Sequence, residues 1–268
     1  MARVKNVKKK ILFFDVDGTI VTGDHVIPES ARSALSAAMD AGHILFVNTG
    51  RPYLHVEPQI KALPMSGFIC SLGGHILFQG EDLCHTSFSP EESREIRDAG
   101  CDCAMDMLFE SEEAVWFDRC CRNEQGAREF AWLKSIGVPG YDDSFREDFA
   151  FDKFVCWPGE NGDPERFEAM FRDRLTFIHR EHSMREVVRR GLSKADGMRV
   201  AMERLGIPRE DTFAFGDGAN DLPMLRMAGT SILMGNAPKE LWHEADFVTA
   251  PIWEDGLRRG MEHYGLLK

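Results

Sequence analysis

Ile11-Leu12-Phe13-Phe14-Asp15-Val16-Asp17-Gly18-Thr19 sets four apolar residues against two acids that stand one residue apart. The apolar run has the length of a short strand buried on both faces. Such a strand normally closes on turn residues; here it closes on carboxylates. In a parallel sheet, loops and helix N-termini converge at the carboxyl ends of the strands, where ligands bind. Two acids at that edge can hold a divalent cation, and one of them can attack an electrophile.

The same grammar extends on either side. Residues 28–41 read as a helix with Pro28 near its start and Gly42 after its end. Residues 44–47 read as a second buried strand, closing on Asn48-Thr49-Gly50-Arg51. A helix over 53–63 should be kinked or shortened by Pro58, and a third strand over 67–71 runs into Gly73-Gly74. Near the C-terminus, helices are expected over 195–205, 220–228 and 238–245, with strands over 212–215, 231–234 and 246–249. Strands alternating with helices at this spacing imply a doubly wound, Rossmann-like α/β core: a parallel sheet with helices on both faces.

Residues 83–189 break the pattern. They are rich in charge and aromatics, with helical stretches at 89–99, 123–136 and 163–174 and strand-like pieces at 114–118, 151–157 and 176–179. This middle part is expected to be an inserted α+β domain, the core being formed by 1–82 and 190–268. Trp116, Phe117, Trp132, Phe154 and Trp157 are the natural core of the insert.

Composition narrows the function. Of 268 residues, 43% are hydrophobic and 28% charged, an ordinary globular balance. The formal charge of −12 argues against nucleic acid or an anionic membrane as partner. Lys5, Lys8, Lys9 and Lys10 precede the first apolar run, but Asp15 interrupts it too early for a signal peptide or a membrane span. A cytoplasmic protein, monomeric or weakly homo-oligomeric, is the expectation. The cysteines are Cys70, Cys84, Cys101, Cys103, Cys120, Cys121 and Cys156, an odd set without a C-x-x-C pair, which points to reduced thiols rather than disulfides. A zinc cluster of Cys101 and Cys103 with Cys120 and Cys121 has neither of the usual spacings.

Four segments carry chemistry. Asp15-Val16-Asp17-Gly18-Thr19 ends the first strand, and Thr49-Gly50-Arg51 ends the second. Lys194 stands just before a helix, and Gly216-Asp217-Gly218-Ala219-Asn220-Asp221 ends a later strand. Each has a plain structural reading: a strand-end turn, one lysine among many, a helix cap. A calcium loop starting at Asp15 fails, since Ile20 and Val26 occupy the places where glycine and glutamate are needed. The segments gain weight together, because each lies just beyond a strand or before a helix.

In this order the four segments resemble the motifs of the haloacid-dehalogenase-like (HAD) superfamily. Gly216–Asp221 extended through Leu222-Pro223-Met224-Leu225, with Gly235-Asn236-Ala237, is similar to the Cof-type phosphatase branch, which carries a large α/β (type IIB) cap where residues 83–189 fall. The resemblance implies that Asp15 attacks phosphorus and that Asp17 protonates the leaving alcohol, then activates water. It implies Mg²⁺ among Asp15, the Asp17 main-chain carbonyl and Asp217, with Asn220 and Asp221 as supports and their order of approach to the metal open. Thr49, Gly50, Arg51, Lys194 and Asn220 would face the phosphate. Where the branch has Asn-Gly after the third strand, this chain has Leu72-Gly73-Gly74.

The cap should exclude water and select the leaving group, with Arg119, Arg122, Lys153, His179, His182 and Arg185 as candidate contacts. The leading expectation is a Mg²⁺-dependent phosphatase of small phosphorylated metabolites, sugar phosphates first among them. The rivals are a phosphotransferase or phosphomutase, in which an alcohol replaces water, and a non-catalytic ligand-binding regulatory module. The last would be marked by loss of Asp15, Asp17, Lys194 or Asp217, and all four are present.

Overall fold

The computed structural model describes residues 9–117, 123–141, 144 and 148–268, which divide into two compact units. The first holds the described residues up to Gly50, with Pro58–Cys84 and Ser193–Lys268; the second holds Arg51–Glu57 and His85–Leu192.

In chain order the elements are β1 (Ile11–Phe14), α1 (Glu29–Asp40), β2 (Ile44–Asn48), α2 (Pro58–Lys61), β3 (Gly67–Cys70), β4 (His75–Phe78) and β5 (Glu81–His85). The inserted unit follows with α3 (Pro90–Asp102), β6 (Met105–Glu110), β7 (Val115–Phe117), α4 (Glu124–Ser135) and β8 (Gly140–Tyr141). It continues with β9 (Lys153–Pro158), α5 (Pro164–Phe171), β10 (Leu175–His179) and β11 (Arg185–Arg189). The chain ends with α6 (Lys194–Leu205), β12 (Thr212–Gly216), α7 (Leu222–Met227), β13 (Thr230–Leu233), β14 (Phe247–Val248) and α8 (Gly256–His263).

The first unit is built on the sheet β14-β13-β12-β1-β2-β3-β4-β5. β1 pairs in parallel on both sides, Ile11 standing opposite Thr212 of β12 and Ile44 of β2. All four β1 side chains are fully buried, as a strand flanked by two neighbours and covered on two faces requires. α1 covers the sheet with Ala31, Ala34, Leu35 and Ala38, one stripe at helical spacing. The sheet departs from a purely parallel plan at β4, which pairs antiparallel to β3.

The inserted unit carries the sheet β10-β11-β9-β6-β7-β8. Alternation along its strands sorts two cores onto opposite faces. Met105, Met107 and Phe109 join Phe154, Cys156, Phe167 and Phe171, while Leu108, Val115 and Phe117 join Val155, Trp157 and Leu133. Trp116, Phe117, Phe154 and Trp157 are buried as expected, whereas Trp132 is half-buried against the second core.

Several sequence expectations need correction. Residues 53–63 form a 3-10 turn at Tyr53–His55 and the short α2, because Pro58 starts a new helix rather than continuing one. Residues 239–244 form 3-10 structure with no buried residue, so no apolar stripe holds them as an α-helix. β4, β5, β6, β8 and β11 were not anticipated. Arg51–Glu57 groups with the inserted unit: Leu54 packs on its second core and His55 Nδ1 stands 3.3 Å from Glu110. Asp118, Arg119, Cys120, Cys121 and Arg122 lie outside the described residues; Cys70, Cys84, Cys101, Cys103 and Cys156 form no disulfide among the described residues.

Candidate active site

Asp15 continues the ladder of β1, its N–H donating to the Phe215 carbonyl at 2.9 Å, so the carboxylate leaves from the very end of the central strand. The chain then turns sharply. The Ile20 and Val21 N–H groups both donate to the Val16 carbonyl at 2.9 Å, and Gly18 N–H to the Val21 carbonyl at 2.8 Å. Gly18 has φ of +76°, and a Cβ there would run into the Asp217 carboxylate. Glycine thus serves twice: it permits the turn and admits the second acidic loop. Asp17 bridges to Val21 by backbone and presents an exposed side chain, whereas Asp15 is only 6% exposed.

The loop after β12 is organised by Asp221. This fully buried side chain accepts Asp217 N–H (3.0 Å) and Gly218 N–H (3.1 Å) at Oδ2, and Lys194 Nζ (2.6 Å) at Oδ1. Lys194 Nζ also bonds Asp15 Oδ1, so one ammonium ties the first acidic loop to the last. It is the first residue of α6, whose N-cap is Ser193, the hydroxyl accepting Asp196 N–H. Asn236 completes the stitching. Its Nδ2 donates to the Gly18 carbonyl (2.9 Å) and Asp217 Oδ2 (3.2 Å), while its Oδ1 accepts Ile252 N–H (3.0 Å).

Charge is unevenly shared here. Asp15, Asp217 and Asp221 each bring a carboxylate oxygen within 4.8 Å of the others. Burial, and next the Asp221 charge, push Asp15 up to about 7 although Lys194 opposes them. Asp217 is likewise pushed up to about 7 by burial and Asp221. Burial works against the Lys194 ammonium, yet Asp15 and Asp221 outweigh it and hold the group above the usual lysine range. Carboxylates that outnumber their lysine in a buried place are a donor set that could hold a divalent cation. Asp221 has both oxygens engaged by protein donors; Asp15 and Asp217 keep more capacity for a metal.

The structure therefore gathers Asp15, Lys194, Asp217 and Asp221. Thr49 is buried at the end of β2, its N–H donating to the Ile69 carbonyl (2.8 Å) and its carbonyl accepting Leu72 N–H (3.3 Å). Gly50 follows it as the last residue before the chain enters the second unit. Arg51 pairs with Glu57 at 3.4 Å and lies over the Trp132 ring. Asn220 is half-buried in the 3-10 turn Ala219–Asp221. In the inserted unit, Lys153 is taken by Glu186 (2.6 Å) and Arg185 by Glu168 (2.9 Å), and His179 stands 3.5 Å from Glu168. His182 lies exposed in a turn. Reading the residues assigned no task to Asn236, although Gly235-Asn236-Ala237 beyond a strand was its available signal, or to Asn48.

Comparison with known proteins agrees with this arrangement. The family model of haloacid dehalogenase-like hydrolases matches residues 12–261. The putative phosphatase YkrA of Bacillus subtilis (strain 168) is 30% identical over 259 residues, covering 97% of this chain and 99% of the relative. The 5-amino-6-(5-phospho-D-ribitylamino)uracil phosphatase YcsE of the same organism is 24% identical over 268 residues, covering 98% of each. The solved structure of BT4131, a sugar phosphatase of HAD subclass IIB, superposes with a TM-score of 0.81 at 27% identity, covering 97% of this chain and all of that one. With its first and last acidic loops tied by one lysine, the chain belongs to the haloacid dehalogenase-like hydrolases, in their Cof-type phosphatase branch.

Proposed function

We propose that the protein is a Mg²⁺-dependent phosphatase of small phosphorylated metabolites, sugar phosphates being the leading class, acting through an aspartyl-phosphate on Asp15. The observation that carries the reading is Asp15 itself, buried at the end of the central strand with Oδ1 bonded to Lys194 and with Asp217 beside it.

Lys194 orients Asp15 and offsets the repulsion between a carboxylate nucleophile and a phosphoester dianion. Asp15 forms a bond to phosphorus as the bond to the leaving oxygen breaks, and Asp17 delivers the proton that the departing alkoxide needs. Water then attacks the aspartyl-phosphate, Asp17 takes its proton, and orthophosphate leaves Asp15 as a free carboxylate. Thr49 and the Gly50 backbone offer donors to phosphoryl oxygens, and Arg51 and Asn220 complete the proposed phosphate-binding set. Asp15, the Asp17 carbonyl and Asp217 would hold Mg²⁺, which when bound would supply neutralising charge at the phosphoryl group. Asp221 supports it by fixing Lys194 and the Asp217–Gly218 backbone.

The sugar-phosphate reading draws on BT4131, a sugar phosphatase, and on YcsE, whose named substrate carries a phosphoribityl group. No helix among the described residues is long and apolar enough to cross a membrane, which is consistent with the cytoplasmic setting proposed.

The test is a hydrolysis screen over phosphomonoesters with and without Mg²⁺, paired with Asp15→Asn. Orthophosphate should be released without an added acceptor, only with Mg²⁺, and fastest from sugar or polyol phosphates. Asp15→Asn should lower kcat by about a thousandfold or more while the circular dichroism spectrum is unchanged. Activity retained by this variant would mean that another group is the nucleophile. Release that requires an alcohol acceptor would make the protein a phosphotransferase.

A further inference from the structure

Lys194 reaches Asp15 and Asp221 from the first turn of α6, so the seat of that turn decides what its Nζ can touch. Two contacts make the seat. Asn48, the last residue of β2, donates from Nδ2 to the Lys194 carbonyl at 3.0 Å. Gly73 stands so close to the helix that a Cβ would collide with the Ser193 carbonyl and lie 2.9 Å from Gly197 N. Its φ of +90° also suits glycine. The turn holding Gly73 is bonded in its turn to the phosphate loop, through Leu72 N–H to the Thr49 carbonyl.

Asn48 is an unusual occupant of its place. It ends a strand whose five residues are all buried, and it is itself 0% exposed. Its Oδ1 has no hydrogen-bond partner among the described residues. A carboxamide with an unmet acceptor is destabilising in such a site, and leucine would fill a similar volume with no unmet group. The donor half of the amide is what the site uses. It grips the main chain of the one residue whose ammonium ties the acidic loops together.

We propose that Asn48 is a positioning residue: by holding the Lys194 carbonyl it sets Lys194 Nζ against Asp15 and Asp221. This rests on the proposed role of Lys194 at the phosphate, so the experiment separates the two. Asn48→Leu and the smaller Asn48→Ala are compared with wild type for kcat, for KM on the best substrate and for inhibition by orthophosphate. Leu35→Ala, in the stripe that α1 lays on the sheet, serves as the structural control, and Lys194→Ala as the test of the underlying role.

Both Asn48 variants should weaken KM and the orthophosphate inhibition constant together, by about tenfold. These constants do not depend on the fraction of folded protein, so Leu35→Ala should lower the Tm and leave both unchanged. A lower Tm with both constants unchanged in whichever Asn48 variant folds would overturn the proposal and leave Asn48 a packing residue. If Lys194→Ala keeps wild-type kcat/KM, the assignment of Lys194 fails as well. If only Lys194→Ala is impaired, that assignment stands and the role of Asn48 is lost.

Discussion

Each unit buries a lysine between two carboxylates, and the two arrangements behave in opposite ways. In the inserted unit Lys153 lies 2.6 Å from Glu186 and 3.7 Å from Glu110. Arg180 Nε joins Glu186 at 3.1 Å, and His55 joins Glu110. Burial works against the Glu186 carboxylate, but Lys153 and Arg180 outweigh it and hold the group down at about 2. In the first unit Lys194 meets Asp15 and Asp221 with Asp217 close by, and Asp15 and Asp217 rise to about 7. Burial is similar, since Lys153 is 4% and Lys194 1% exposed. What differs is the ratio of cations to carboxylates. Balanced groups make a structural network; an acidic excess is a donor set that could hold a cation.

The largest effects come from removing each lysine, and turnover is the observable that should separate them. Lys194→Ala takes away the charge proposed to act on the reacting groups and is expected to lower kcat/KM by about 10²–10³. Its Tm should fall as well, because fully buried Asp221 loses the ammonium bonded to it at 2.6 Å. Lys153→Met leaves Glu186 and Glu110 short of a partner and is expected to destabilise by about 3–5 kcal/mol. Adding Glu186→Leu should recover much of that loss, since a buried pair replaced by apolar groups is often neutral. Steady-state kinetics and thermal unfolding on all three variants check this. A Lys153→Met protein that keeps its Tm but loses turnover would erase the distinction.

A smaller effect is the opposite response to pH. Asp15 and Asp217 titrate at about 7 in the folded protein against an ordinary 3.8. A raised carboxyl gives stability that is full below 3.8 and is lost as pH rises through about 7. Glu186 is lowered from 4.5 to about 2, so its contribution is present above 4.5 and is lost as pH falls through about 2. In chelator, the Tm should therefore fall as pH rises from 3.8 to about 7, by some degrees at about 2–4 °C per kcal/mol. Saturating Mg²⁺ should remove that fall, since a cation favours the ionised carboxylates. A Tm that is flat or rising over this range without metal would mean that the acidic excess is compensated elsewhere.

The same charge ratio explains what could be read in advance. Asp15 was legible because acids at the end of a strand buried on both faces have few structural uses. Lys194 was legible only in company with the other three segments and through the resemblance they carry, since its place before a helix marks one lysine among many. The tasks of Asp221 and Asn48 were not, because they depend on which oxygen or amide hydrogen meets which backbone group. β6 was missed for a related reason. Met105, Met107 and Phe109 face one core and Leu108 the other, with Asp106 and Glu110 also buried, so the strand is neither an apolar run nor a polar–apolar alternation. β11 hides between Arg185 and Arg189, and Arg185 and Glu186 are buried by pairing. Polar residues that meet their partners inside a fold carry no local mark of being inside.

The smallest effect probes the inserted unit's balance at a single helix start. Ser89 caps α3: its hydroxyl accepts Glu92 N–H at 3.2 Å, and Glu92 Oε2 accepts Ser89 N–H at 2.9 Å. Arg189 also grips Glu92, at 2.9 Å and 3.0 Å, and this bond first, then the Ser89 N–H, hold Glu92 down at about 2. Ser89→Ala removes one arm of the capping box and leaves the Arg189 pair, so the expected loss is about 1 kcal/mol. That is a Tm lower by about 2–4 °C, with kcat/KM unchanged. Glu92→Gln should weaken both arms and fall further on the same scale. If Ser89→Ala instead lowered kcat/KM at constant Tm, a helix cap of the inserted unit would be serving turnover, and the ratio of charges would no longer tell structure from chemistry.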